Sequence, residues 1–91
     1  MADQGLLEEA GRACEAYLRE SEPTADLLLL LGLVREAAGN GDEAADHYRK
    51  ALYLDPNHSQ VLLHLALLLE KQGDIAGAKI MNDRLRRKAR T

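Results

Sequence analysis

The chain alternates between stretches whose apolar residues recur every three or four positions and short polar turns. Residues 27–38 and 61–72 are each rich in leucine, and each stretch stops at a glycine. Between them, one helical face would carry Ala45, Tyr48, Ala51 and Leu52. This spacing is typical of amphipathic helices, and no segment alternates with the period of two that a strand requires. The pattern predicts an all-α protein.

Turn and capping residues divide the chain into five predicted helices. The first runs from Leu6 to about Glu20, with an inward face formed by Leu7, Ala10, Cys14, Tyr17 and Leu18. The other four are expected to begin at the caps Thr24, Asp42, Ser59 and Asp74. They should end near Ala38, Asp55, Gln72 and Lys88. The turns are short, which places successive helices antiparallel to one another.

A period of 34 residues organises these helices. It relates Gly5, Gly39 and Gly73, and also Ala10, Ala44 and Ala78. We interpret residues 1–91 as a single domain with a half unit at 5–22, a full unit at 25–58 and a final unit at 59–91. Gly5 falls where the turn between the two helices of a unit is expected. We therefore expect the missing first helix to lie upstream of Met1, in a longer protein.

Charge is unevenly distributed over these units. The net charge is −3, and acidic residues prevail in residues 1–22. The chain ends in a basic segment with no acidic residue, formed by Arg84, Arg86, Arg87, Lys88 and Arg90. Two interpretations of that segment stay open: a solvated helix end, and a contact for an acidic partner or a neighbouring copy. We expect neither nucleic acid nor a membrane as a partner, because the net charge is small and no aromatic residue lies between these basic residues.

The same sequence offers little support for catalysis, a cofactor or a metal. The string from Gly39 to Ala44 fits a dinucleotide-binding pattern, but a helix is predicted before it where that pattern needs a strand. No two of His47, His58, His64 and Cys14 have the spacing of metal ligands on a helix. His47 is expected to face solvent and His64 to lie near the binding face. We predict no catalytic, cofactor-binding or metal-binding residue in this chain.

The sequence shows no signal for export or membrane insertion, and we expect a cytoplasmic protein. Cys14 is the only cysteine and cannot form an internal disulfide, which favours a reducing compartment. The N-terminus lacks the basic and apolar regions of a signal peptide. The longest apolar run, residues 27–34, is too short to span a bilayer.

The repeat resembles the tetratricopeptide family. Numbered from Ala25, the family's conserved positions are matched by Leu28, Leu31, Gly32, Ala44, Tyr48, Ala51 and Pro56. The final unit departs from that pattern at Asn82 and Leu85, where an aromatic residue and alanine would stand. The resemblance implies a right-handed α-solenoid of antiparallel helix pairs that binds a protein or peptide.

Three segments resemble a more particular group of proteins. Residues 48–56, 64–70 and 73–78 are similar to the C-terminal tetratricopeptide extension of CheR-type chemoreceptor methyltransferases, such as the Wsp-type enzymes of biofilm signalling. This resemblance implies an upstream catalytic domain with an S-adenosylmethionine site, of which no residue is present here. The chain itself would dock or regulate the enzyme. The alternative is a structural or oligomerisation unit from another repeat protein.

The family also implies which residues form the inner, ligand-binding surface. Positions 2, 5, 9 and 12 of the two units are occupied by Asp26, Leu29, Leu33, Glu36, Gln60, Leu63, Leu67 and Glu70. The leucines replace the Lys and Asn residues with which chaperone-type domains hold a C-terminal carboxylate. We expect an apolar strip edged by acids, suited to an amphipathic helix with a basic flank. The alternative is that the chain's own helices or a second copy cover these leucines.

Overall fold

The computed structural model describes residues 2–20 and 22–89, with side chains for residues 5–16 and 22–89. Five helices follow in order: α1 Ala2–Glu20, α2 Ala25–Ala37, α3 Gly41–Leu54, α4 Ser59–Lys71 and α5 Ile75–Ala89. All regular structure within the described residues is helical. The predicted all-α class and the number of helices are therefore confirmed.

Helix α1 differs most from expectation. It begins at Ala2 and continues through Gly5, so the prediction that Gly5 forms an inter-helix turn is wrong. A Cβ atom added at Gly5 would meet nothing within 4 Å, and nothing there demands a glycine. Of the expected inward face, Cys14 is half-buried. The side chains of Tyr17 and Leu18 lie outside the described residues.

The two turns one period apart have the same geometry. Gly39 and Gly73 have φ values of 87° and 83°, in the left-handed region that favours glycine. After each glycine, the next amide reaches back to the helix: Asn40 donates to the Arg35 carbonyl, and Asp74 to the Leu69 carbonyl, both at 2.8 Å. This hydrogen-bonding pattern closes a helix C-terminus and turns the chain back. The 34-residue period thus repeats a backbone conformation as well as a residue type.

The helix N-termini follow the predicted caps only in part. The Thr24 hydroxyl accepts from the Leu27 amide at 3.1 Å, and the Asp74 carboxylate accepts from the Gly77 amide at 2.9 Å, as predicted. Asp42 does not cap α3, since its carboxylate accepts from the Gln72 side chain at 3.1 Å. His58, not Ser59, caps α4. An imidazole is an unusual N-cap, and a second contact, with Asp26, helps to hold the His58 ring in place.

Helices α2 and α3 cross closely at Gly32. A Cβ atom added at Gly32 would lie 2.4 Å from Cε1 of Tyr48, whose side chain is fully buried. Ala44, on the same helix as Tyr48, is also fully buried. The interpretation that small residues here allow two helices to approach is therefore confirmed. Helix α5 packs on α4 as α3 packs on α2, giving two antiparallel pairs joined through α3 and α4.

The hydrophobic core lies between these pairs. Its members come mainly from α2, α3 and α4, and α5 contributes Ala78. The largest fully buried apolar side chains are Tyr48, Leu31, Leu62, Leu65 and Val61. Leu33, Met81 and Leu85 pack against the core from its edge. The unusual residues Asn82 and Leu85 of the final unit are both half-buried.

An ion-pair cluster attaches α1 to this core. Arg35 is only 7% exposed and is paired with Glu8 and Glu15 of α1 and with Glu43 of α3. Its guanidinium lies directly over Gly11, where a Cβ atom would come within 2.9 Å of it. The hydrogen bond to Glu15 raises the pKa of Arg35, against the effect of burial. A buried charge of this kind is stable only because carboxylates surround it.

Candidate protein-binding face

Helices α2 and α4 lie side by side and run in the same direction. Near their N-termini, Nε2 of His58 lies 2.6 Å from Oδ1 of Asp26. Near their C-termini, Nζ of Lys71 lies 3.9 Å from Oε2 of Glu36. These contacts fix the distance between the two helices at both ends. They also show that His58 has two functions, since Nδ1 accepts from the Val61 amide while Nε2 faces Asp26.

Glu36 joins three helices. Its Oε1 accepts a hydrogen bond from the Tyr48 hydroxyl of α3 at 2.8 Å, while Oε2 faces Lys71 of α4. The Tyr48 ring stacks on His64, with 6.3 Å between ring centroids. Burial, together with the bond to Glu36, raises the pKa of Tyr48, so the hydroxyl stays protonated and donates. Asp26 and Glu36, both expected as binding residues, are therefore partnered within the chain.

The expected apolar strip is present on α4 and altered on α2. Leu63 and Leu67 are 43% and 48% exposed, one helical turn apart. Leu33 is half-buried, while Leu29 is only 7% exposed and belongs to the core. The expectation that Leu29 forms open apolar surface is wrong, because its side of α2 turns towards the other core helices. Gln60 and Glu70 are exposed beside the α4 leucines.

Leu30 contributes the surface that Leu29 does not. It is 49% exposed and lies on the same side of α2 as Leu33, three residues away. We refer to Leu30, Leu33, Leu63 and Leu67 as the leucine face. The family positions pointed to Leu29. The run of five leucines from 27 to 31 contains no polar residue that would mark the boundary between the buried and exposed sides of α2. Spacing from Asp26 does not separate the two leucines either, since positions i+3 and i+4 both lie on its side of the helix.

His47 lies elsewhere than expected, and the basic segment has contacts within the chain. His47 is half-buried, with Nδ1 inaccessible and unpaired within the described residues, so the prediction that it faces solvent is wrong. Burial lowers its pKa, and the nearby cations Lys50 and Arg35 lower it further. In the basic segment, Arg84 donates to the Pro56 carbonyl and Lys88 to the Asn57 carbonyl. That segment is thus fastened to the turn between α3 and α4.

The described residues group no three His, Cys, Asp or Glu side chains in a way that could hold a metal ion. No helix in this part of the chain combines the length and apolarity that crossing a bilayer requires. What the described surface does offer is a fixed pair of helices with exposed leucines between partnered polar ends. An arrangement of this kind suits the binding of another polypeptide.

Comparison with known proteins agrees with the repeat. Two tetratricopeptide repeat family models match the chain, one over residues 2–59 and one over residues 35–91. Each match covers more than half of the sequence. The chain belongs to the tetratricopeptide repeat family.

Two relatives carry the same name. The chain is 43% identical over 90 residues to the probable biofilm formation methyltransferase WspC of Pseudomonas putida KT2440. It is 47% identical over 87 residues to the protein of that name from Pseudomonas aeruginosa PAO1. These alignments cover 99% and 96% of this chain but only 21% of each relative. The chain therefore spans about a fifth of the length of the relatives it matches, and their name agrees with the methyltransferase resemblance.

Proposed function

We propose that this chain is a non-catalytic protein-interaction domain whose leucine face binds an amphipathic helix of a partner protein. The observation that carries the proposal is the pair of exposed leucines on α4, Leu63 and Leu67, beside a second helix held parallel to it. Burying such side chains favours association by about 25 cal/mol per Å² of apolar surface removed from water. The rigid frame lowers the cost of ordering the surface upon binding.

The polar residues around the leucine face suggest the character of the ligand. Asp26 is exposed despite its contact with His58, and Glu70 is exposed at the other end of the same face. Basic side chains flanking the apolar stripe of a bound helix would meet these carboxylates. The attraction would favour encounter and orientation more than affinity. This refines the expected set of binding residues, with Leu30 in place of Leu29.

The binding proposal is tested by titrating the ¹⁵N-labelled chain with the cytoplasmic segment of a chemoreceptor encoded beside the parent gene. We expect amide shifts to concentrate around Leu33, Leu63 and Leu67. Leu67→Glu should weaken binding at least tenfold, because a charge would be buried in an apolar contact. Ile80→Glu is the matched control, since Ile80 is 55% exposed on α5 and lies outside the leucine face.

Equal effects of the two glutamate variants would contradict the role of the leucine face. Shifts confined to other helices would contradict it as well. Circular dichroism on both variants verifies that each remains helical. Because both replaced side chains are about half exposed, neither substitution should unfold the domain.

We further propose that the parent protein is a CheR-type methyltransferase that modifies chemoreceptor glutamates in cytoplasmic biofilm signalling. In this proposal, residues 5–22, 25–58 and 59–91 are the repeat units, and the rest of the parent binds S-adenosylmethionine. Of three pockets in the described residues, only the one between α3 and α5 is lined by a carboxylate, that of Asp74, and it already accepts the Gly77 amide. Removal of residues 25–91 from the parent should weaken receptor binding while methyl transfer to receptor peptides persists. Loss of both activities would contradict a separate docking domain.

An assembly unit is the second candidate function, and one observation favours it. Leu6 is 65% exposed on α1, which packs on α2 at one end of the helix stack, and it lies outside the leucine face. Two copies could bury this side chain between them. Sedimentation velocity over a hundredfold concentration range separates the candidates: a monomer throughout argues against assembly, whereas a dimer that Leu6→Glu dissociates supports it.

A further inference from the structure

A groove between α3 and α5 has no part in the proposed function. It has a volume of about 360 Å³ and contains none of the residues of the leucine face. Helix α3 contributes Arg49 and Tyr53 to it, and α5 contributes Gly77, Met81 and Arg84. The α5 residues follow the spacing i, i+4, i+7, which places them in line on one side of the helix. We refer to this surface as the α3–α5 groove.

The floor of the α3–α5 groove is apolar. Leu52, Leu65 and Leu69 are buried beneath it, and Met81 packs against the core from its edge. Gly77 also lines the groove, and a Cβ atom added there would lie 2.5 Å from Oδ2 of Asp74, so the glycine leaves room for the carboxylate that caps α5. Above the floor, Tyr53 is 88% exposed, which is unusual for a large aromatic side chain of a helix. The groove therefore offers apolar contact area as well as charge.

The rim of the groove is basic. Arg49 and Arg84 line the groove itself, and Arg84 also lines an adjoining pocket with Arg87 and Lys88. The carboxylate within the groove, Asp74, is directed to the backbone amide of Gly77. Arg49 has only a loose contact of 3.9 Å with Asp46, and both side chains are largely exposed. The two pockets share Arg84, so the cations that line them lie next to one another.

A purely structural role does not account for all of these cations. Arg84 and Lys88 donate to the carbonyls of Pro56 and Asn57, which fastens the end of α5 to the preceding turn. A guanidinium has five N–H donors in a planar fork, so the Arg84 bond leaves capacity to receive a carboxylate. Arg49 and Arg87 take no part in that fastening. Their presence around an apolar floor is what a site for an anionic and partly apolar ligand requires.

We propose that the α3–α5 groove binds an acidic amphipathic segment of a partner protein. Its apolar side chains would contact Met81 and the leucines of the floor, and its carboxylates would face Arg49, Arg84 and Arg87. Charge complementarity selects this occupant, because the rim of the α3–α5 groove is basic. The leucine face is instead edged by acids and should receive a basic segment. The domain would then hold two partner segments of opposite charge on separate surfaces, and the proposal does not depend on the identity of the parent protein.

The probe is a synthetic helical 14-residue peptide with leucines at i, i+3 and i+7 and four flanking glutamates. A second peptide carries glutamine at those four positions. Binding to the intact chain is followed by fluorescence polarisation and by ¹⁵N shifts. The test variant is Arg49→Gln/Arg87→Gln, which removes two rim charges without touching the bonds to Pro56 and Asn57. The control is Lys79→Gln/Arg86→Gln, with the same change in net charge on the other side of α5.

We expect the acidic peptide to shift residues around Met81 and Arg84, and the test variant to bind it about fivefold more weakly. The control variant and the leucine-face variant Leu67→Glu should bind it as the native chain does. Raising the salt concentration from 0.05 M to 0.5 M should remove most of the binding.

Several results would overturn the proposal. Equal binding of the glutamine peptide would remove the role of charge, and equal losses in test and control variants would remove the role of position. Equally tight binding of a single-stranded oligonucleotide would identify a general polyanion surface. Self-association that Arg49→Gln/Arg87→Gln abolishes would identify a second copy of the chain as the occupant.

Discussion

Gly32 is the position at which a single methyl group should have the largest effect on this fold. An added Cβ atom would lie 2.4 Å from Cε1 and 2.6 Å from Cδ1 of Tyr48. Carbon atoms in contact are normally separated by about 3.5–4.0 Å, so the ring would need to move by about 1 Å. Tyr48 has little room for that movement, since it is fully buried and its hydroxyl is bonded to Glu36.

Two effects of Gly32→Ala oppose each other. Alanine is favoured over glycine within a helix by about 1 kcal/mol. Overpacking a filled core costs about 1–3 kcal/mol, and loss of a hydrogen bond to a charged group costs about 1.5–3 kcal/mol more. Because displacement of the ring would strain the bond to Glu36 as well, the steric effect should prevail. We expect a net destabilisation of about 1.5–5 kcal/mol.

Gly5→Ala is the matched control, because it makes the same substitution within a helix where nothing lies within 4 Å of the added atom. It should stabilise the domain by about 0.5 kcal/mol, less than the full propensity because it lies near the end of α1. The free energies of unfolding are measured by urea denaturation, followed by circular dichroism and tyrosine fluorescence. Gly32→Ala should also alter the near-ultraviolet tyrosine signal.

A Gly32→Ala domain as stable as the native chain, with an unchanged tyrosine signal, would refute the reasoning. It would mean that the two helices separate at little cost, and that the crossing does not determine the position of Tyr48. The double variant Gly32→Ala/Tyr48→Leu tests whether the Tyr48 ring is the group that the added methyl group displaces. If the clash with the ring is the cause, the double variant should be more stable than the sum of the single effects predicts.

Three other predictions follow from particular contacts. Glu15→Gln should destabilise the domain by about 1 kcal/mol, because it weakens the bond to the buried Arg35, whereas Glu9→Gln on the exposed side should cost less than about 0.5 kcal/mol in the same urea assay. Gly73→Ala should cost about 1 kcal/mol through the positive φ, and Gly73→Asn less, measured as a loss of about 4–8 °C in Tm for the alanine variant. Burial lowers the pKa of His47, so the unfolded chain binds the additional proton and stability should fall as the pH drops below about 6.5. His47→Gln should flatten that part of the stability profile, and an unchanged profile would contradict the burial of this ring.

Local chemistry explains which features of the fold could be predicted. The positive φ at Gly39 and Gly73 is a property of the residue itself, and Thr24 and Asp74 cap through bonds to amides three residues away. Each prediction needed only neighbours within one helical turn. Gly5 failed for the same reason: the 34-residue period was extended to a glycine that lacks the turn residues following the other two.

The candidate site was predicted less completely because its contacts are distant in sequence. His58 caps α4 while contacting Asp26, which is 32 residues earlier. The 34-residue period gives a partial signal that Arg35 is buried, because the equivalent residue one unit later is the buried Leu69. A cation at a core position requires carboxylates from elsewhere, and Glu8 and Glu15 lie seven residues apart on one side of α1. Spacing alone could not assign those partners.

The sequence by itself determined the repeat, the five helices, the two glycine turns and the small residue at the crossing of α2 and α3. These features depend on periodicity and on the conformational preferences of single residues. Only the tertiary structure decided that Leu29 is buried while Leu30 is exposed, that Asp26 and Glu36 are occupied within the chain, and that an arginine-rimmed groove separates α3 from α5. In each case the outcome depends on how one helix is rotated against its neighbours, which the packing of the whole core determines.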